Sequence, residues 1–103
     1  MSNYHLTNEA VRDLSDIWVY TVETWSEEQA DRYYEMLLNT CSNTAINPQS
    51  GRNYDEVSKE LFGVRANRHI IFYRIITPSQ IEITRILHEQ MDLKNRLLSG
   101  KSI

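Results

Sequence analysis

Apolar residues recur along this chain with two different periods, and the change from one to the other divides it. They fall first at Ala10, Val11, Leu14, Ile17, Trp18, Val22 and Trp25, the spacing of one buried helix face. Arg12, Asp13, Asp16 and Glu23 take the opposite side. Thr7 or Asn8 is placed to cap this helix, with Glu9 in the first turn where a negative charge suits the helix dipole. Ser26-Glu27-Glu28-Gln29 is a capping box, so a second helix begins there. Ala30, Tyr33, Tyr34, Leu37, Leu38, Cys41 and Ala45 carry on the helical period. With almost no residues between them, the two helices are expected to lie antiparallel as a hairpin. Pro48 disfavours helical geometry at Asn47 and ends the second helix near Ile46.

Beyond a polar loop from Pro48 to Lys59 the pattern changes to that of strands. Leu61 to Ala66 reads as one strand, and Asn67-Arg68 as a tight turn, because Asn tolerates positive φ. The Ile-rich run from Arg68 to Ile76 reads as a buried strand. Thr77-Pro78-Ser79-Gln80 breaks it, since Pro78 has no N–H for a ladder, and Ile81 to His88 forms the second arm of a β-hairpin. Tyr4 to Thr7 has the alternation of a short edge strand, and Asp92 is placed to cap a short helix carrying Leu93, Leu97 and Leu98, stopped by Gly100. The order β, αα, βββ, α predicts an α+β fold with segregated helices on a small, mainly antiparallel sheet. Facing Ile76 with Ile81 gives the register Arg74–Ile83, Phe72–Arg85, Ile71–Ile86 and His69–His88. Arg74 and Arg85 then share one face, and His69 and His88 meet on the other at the open end of the hairpin.

The 103 residues are expected to form a single domain, 1–103, with one core. A single cysteine, Cys41, allows no internal disulfide and suits a reducing compartment. The polar N-terminus lacks the apolar core of a signal peptide, and no apolar run could span a bilayer, so a cytoplasmic location with no membrane contact is expected. A net charge of −3 counts against a general nucleic-acid binder.

Candidate chemistry is confined to a few side chains. His69 and His88 could do acid–base work, or could cap strand ends. No spacing supplies the third ligand a metal needs, so neither metal nor cofactor is expected. Arg65, Arg74 and Arg85 offer an anion clamp, or pair with Glu56, Glu60, Glu82 or Asp92. Trp18, Tyr20, Trp25, Tyr33 and Tyr34 form an aromatic group that should be mostly core, with Tyr20 off the apolar face and available to an interface. Cys41 reads as a small buried hydrophobe.

Four stretches together carry a family likeness: YHLTNEAVRDLSDIWVYTVETWSEEQADRYYEML, NPQSGRNYDEV, RHIIFYRI and RILHEQMD. From Tyr4 to Leu98 the chain resembles the ParE branch of the ParE/RelE toxin superfamily. The resemblance implies a helical hairpin on a small, mainly antiparallel sheet, and the toxin of a type II toxin–antitoxin module. It implies poisoning of DNA gyrase, and neutralisation by a ParD-like ribbon-helix-helix antitoxin in a hetero-oligomer. That antitoxin alone would contact promoter DNA. Such a toxin acts by differential binding and needs no catalytic residue of its own. Target contact is then expected at His88, Met91, Asp92, Leu93, Arg96 and Leu97, and antitoxin contact at Trp18, Tyr20, Tyr33, Arg74 and Arg85. The sister branch, resembling RelE, cuts mRNA on the ribosome, and Arg65, Arg85, His88 and His69 would serve that alternative. Where those ribonucleases place basic residues, this chain has His88-Glu89-Gln90, which favours gyrase poisoning. A third reading is an inactive toxin-derived module that serves only in complex formation or autoregulation.

Overall fold

The structure, a computed structural model, describes residues 2–91 and Leu97. Its elements are β1 (Asn3–Leu6), α1 (Asn8–Thr24), α2 (Glu27–Ile46), β2 (Arg52–Asn53), β3 (Phe62–Ala66), β4 (His69–Thr77) and β5 (Gln80–His88), with a single 3-10 turn at Pro48–Ser50. Thr7 makes the first transition. Its N–H donates to the Ile83 carbonyl at 3.0 Å, and its hydroxyl donates to the Thr84 carbonyl at 2.9 Å. The same hydroxyl accepts the Ala10 N–H at 3.1 Å, so one residue closes β1 and caps α1. Ser26 caps α2 in the same way, accepting the Gln29 N–H at 3.0 Å.

The strands form one five-stranded sheet in the order β1-β5-β4-β3-β2. All neighbours are antiparallel except β1, which runs parallel to β5 with Tyr4 opposite Ile81. Asn67 takes φ 58° in the turn between β3 and β4, the left-handed geometry that its position predicted. The polar loop after α2 is more structured than expected, because it holds the 3-10 turn and the two-residue β2. The expected C-terminal helix falls outside the described residues apart from Leu97.

The hairpin register holds from His69–His88 to Phe72–Arg85 and then shifts. Thr84 is the extra residue of a bulge, and its hydroxyl donates to the Phe72 carbonyl at 3.1 Å. Beyond it Arg74 pairs with Glu82, not Ile83, and Ile75 with Ile81. Ile76 lies at a second irregularity and is 50% exposed, so the expected Ile76–Ile81 pair does not form. The Thr84 bulge reverses face parity, which lets Ile81, Ile83 and Ile86 all point to the helices.

Those residues join Ile71 and Tyr73 under Ala10, Leu14, Leu37, Cys41 and Ala45 as the main core. A second, smaller cluster of Tyr54, Leu61, Ile70, Phe72 and Leu87 lies on the other face, with Val57 and Leu97 packed against it. Gly63 allows that cluster to close. A Cβ there would stand 2.7 Å from the Tyr54 ring. Cys41 is fully buried, and burial pushes its thiol up to about 12, as befits a hydrophobe and not a nucleophile.

The aromatic group on the helices divides: Tyr33 packs against the main core, Trp18 is half-buried, Tyr20 is exposed as expected, and Trp25 and Tyr34 are exposed against expectation. Trp25 is 71% exposed, Tyr20 66% and Tyr34 38%, while Val11 of the expected buried stripe is 48% exposed. The sheet's own Ile, Phe and Tyr side chains fill the interior, so the helices need supply only small residues and Leu where they approach it closely.

Candidate functional site

Two clusters of polar side chains stand at the His69/His88 end of the β4–β5 hairpin and along the free edge of β5. The first gathers where α1 ends, α2 begins and β3 turns into β4. The Tyr33 hydroxyl on α2 and His69 Nδ1 share a hydrogen bond of 2.7 Å, and their rings meet edge to face with centroids 5.4 Å apart. Burial raises the Tyr33 phenol above its usual range, and the Arg68 backbone N–H donating to its oxygen opposes that only in part. Tyr33 therefore stays protonated at neutral pH. His88 packs edge to face on His69 with centroids 5.2 Å apart, and its Nδ1 accepts the Gln90 N–H at 3.1 Å.

Burial, reinforced by His88, pushes the His69 imidazole down to about 4, against the opposing pull of Asp13 and Glu89. At neutral pH it is uncharged. Tyr20, Trp25, Tyr33, Arg68, His69 and His88 are among the side chains that line a cleft of about 380 Å³ here.

The second cluster lies where β1 stops short and leaves β5 as an open edge. Asp13 Oδ2 accepts the Ile86 N–H at 2.9 Å and the Arg85 Nε–H at 2.8 Å. Its Oδ1 accepts from Arg85 Nη2 at 3.1 Å. A bidentate pair thus completes the ladder that β1 leaves unfinished. The Asp13 hydrogen bond raises the Arg85 guanidinium further above its ordinary value, more than burial lowers it. Asp13, expected on the solvent face of α1, is a half-buried strand-edge cap, its side chain only 13% exposed.

The other two candidate arginines are also engaged. Arg65 pairs with Glu89 at 2.7 Å, and Arg74 donates to the Ser58 hydroxyl at 2.5 Å. Pairing was anticipated for these residues, but with other acids. Arg74 and Arg85 do border one cavity of about 160 Å³ on the loop side of the sheet, together with Thr84, Leu61 and Leu97.

The register divides the ribonuclease candidates in two. His69 and His88 share the helix-side face, while Arg65 opposite Ile70 and Arg85 opposite Phe72 belong to the other face. The antitoxin candidates separate into three places. Trp18 donates its indole N–H to Asp31 at 3.0 Å beside a shallow hollow lined by Val19 and Tyr34. Tyr20 and Tyr33 belong to the cleft, and Arg74 and Arg85 to the loop-side cavity. Of the target-contact candidates, His88, Met91 and Leu97 are described, with Met91 39% exposed. Asp92, Leu93 and Arg96 lie outside the described residues. Asp13, Trp25, Arg68 and Glu89 were not foreseen as parts of either cluster. Trp25 at the join of two helices and Arg68 in a tight turn had sequence signals that could have placed them at a surface.

Among the described residues, no group of three or more His, Cys, Asp or Glu could hold a metal ion, and no helix is long and apolar enough to cross a membrane.

A family model described as "ParE toxin of type II toxin-antitoxin system, parDE" matches residues 4–93. The chain is 33% identical over 96 residues to Toxin ParE1 of Mycobacterium tuberculosis, covering 93% of this chain and 98% of that one. It is 32% identical over 97 residues to Toxin ParE1 of Caulobacter vibrioides, covering 94% and 99%. In fold it is similar to a chain of a solved structure titled "Chromosomal ParDE TA system from P. aeruginosa", with TM-score 0.73 at 17% identity, over 85% of this chain and 96% of that one.

Proposed function

The chain belongs to the ParE toxin family of type II toxin–antitoxin systems, and we propose that it acts on DNA gyrase by binding, without catalytic residues of its own. The observation that carries this reading is how the four ribonuclease candidates stand: the register puts two histidines on one strand face and two arginines on the other, and an acid holds each arginine. Cleavage of a phosphodiester needs charge held at the transferring phosphate. Here Arg85 is neutralised by Asp13 at 2.8 Å and Arg65 by Glu89 at 2.7 Å. His69, pushed down to about 4, carries no charge at neutral pH. A poison that holds gyrase in its DNA-cleaved state needs only to prefer that state.

Target contact is assigned to His88, Met91 and Leu97 together with Asp92, Leu93 and Arg96. The antitoxin, a ParD-like ribbon-helix-helix protein, covers the exposed surface of the helical hairpin around Trp18, Tyr20 and Tyr33. Val19, 49% exposed, and Tyr34, 38% exposed, add apolar area to that surface. Both partners meet the toxin in the cytoplasm, and the complex reaches promoter DNA through the antitoxin alone.

Purified toxin is assayed side by side on gyrase supercoiling and on mRNA in a translating extract. The expected result is loss of supercoiling with accumulation of cleaved DNA, reversed by antitoxin, and intact mRNA. Unaffected gyrase with cut mRNA would transfer the protein to the ribonuclease reading. Silence in both assays would leave a module that only forms complexes.

A further inference from the structure

We propose that the cleft at the end of the helical hairpin binds a nucleotide, its base stacked on Trp25 or Tyr20 and its phosphate held by Arg68. The cleft shares Tyr20 and Tyr33 with the surface assigned to the antitoxin and His88 with the target contact, so nucleotide and partners compete for it. The cleft, about 380 Å³, falls within the range of small-ligand sites.

Its rim carries two large aromatic rings, Trp25 at 71% and Tyr20 at 66% exposure. Neither ring has an aromatic or cation–π partner among the described residues. Exposed ring faces beside a cleft are the platform on which bases stack.

The charge of the lining is the second observation. The chain has 14 Asp and Glu and a net charge of −3, yet none of the residues lining this cleft is acidic. The Arg68 guanidinium is exposed and makes no ion pair among the described residues. The acids nearest His69 are already engaged, Glu89 by Arg65 and Asp13 by Arg85. Around Arg68 stand the amides of Asn67 and Gln29 and two imidazoles, hydrogen-bonding groups suited to a base edge and a ribose. Tyr33 engages His69 Nδ1 and leaves Nε2 as the ring nitrogen available to a ligand.

An acidic peptide would match the charge. It would leave the ring faces unused, and the lining holds no aliphatic side chain to receive a peptide's apolar residues. The planar, anionic ligand fits both halves of the site.

The test uses the full chain, with binding read by calorimetry and by the NMR signals of the His69 and His88 imidazoles. The probes are adenosine monophosphate, short oligo(A), short oligo(dA), inorganic phosphate and acetylated tetraglutamate. Adenosine monophosphate is expected to bind and move both imidazoles. Binding by the oligomers alone would support the site and assign it to a strand, and the two sugars identify which. Trp25→Ala and Arg68→Ala should each weaken binding about tenfold without changing the melting temperature, while Arg12→Ala should have no effect. The proposal is overturned by any of three results: no probe with a base binds, phosphate or tetraglutamate binds as well as the nucleotide, or both cleft variants bind as tightly as the parent.

Discussion

The Asp13–Arg85 junction and the Tyr33–His69–His88 cleft are made from the side chains that ordinarily do chemistry, yet their surroundings differ. At the junction, Asp13 receives one backbone N–H and both arms of Arg85, whose side chain is only 19% exposed. Every group there completes an unfinished strand edge. At the cleft, one nitrogen of each imidazole is engaged, His69 Nδ1 by Tyr33 and His88 Nδ1 by the Gln90 N–H. The remaining imidazole edges, Arg68 and two exposed aromatic rings are left facing outward. Residue type alone therefore does not distinguish structural from binding roles. What distinguishes them is whether the fold has already used the hydrogen-bonding capacity.

The largest effect should come from breaking the junction. Asp13→Ala removes the carboxylate that grips a mostly buried guanidinium and takes the acceptor from the Ile86 N–H, and should cost about 3 kcal/mol in urea unfolding. Arg85→Met should cost clearly less, because Asp13 still caps the strand. Equal losses would show that the strand-edge bond to Ile86 contributes nothing.

Acid should act next, and through the cleft. The His69 pKa of about 4 in the folded chain lies below the usual 6.5 or so of an unfolded histidine. The unfolded chain thus takes up the proton first. This contribution is complete above roughly pH 6.5 and is lost as the pH falls towards 4, about 2 kcal/mol in all after screening by solvent. Melting temperatures measured over that range should slope downward with acid, and His69→Gln should flatten the slope.

Smaller effects sharpen the contrast. Arg65→Ala removes an ion pair whose arginine is 65% exposed, and should change stability by less than about 1 kcal/mol. Smallest of all, Trp25→Ala and Tyr20→Ala should leave unfolding within about 0.5 kcal/mol of the parent, since both rings stand in solvent.

Much of the fold was legible because local signals agreed. Thr7 and Ser26 sit where helices must be capped, Pro48 and Pro78 where elements must end, and Asn67 where φ must be positive. The His69–His88 contact followed from the turn and the alternation up to Phe72. The register failed beyond Phe72 because a bulge is a tertiary event. Thr84 is held out of the ladder partly by Thr7, which is 77 residues away. In retrospect the spacing of Ile81, Ile83 and Ile86 records it, with one step of three where alternation gives two. Trp25 and Tyr34 were misplaced because hydrophobic period reports a stripe and not its depth, and here the sheet supplies the bulk of the core. The partners of the arginines were not legible at all, since Asp13 and Glu89 are brought to them only by the packing of α1 on β5 and the turn after it.

The central claim is that these side chains serve the fold and binding surfaces, not chemistry. His88→Ala, expressed without antitoxin, tests it most directly when growth arrest is scored beside antitoxin affinity and thermal stability. The account predicts that arrest persists at reduced potency, and that less is lost than on removal of residues 93–103. Complete loss of arrest, with the fold and antitoxin binding intact, would contradict it and make His88 a catalytic residue.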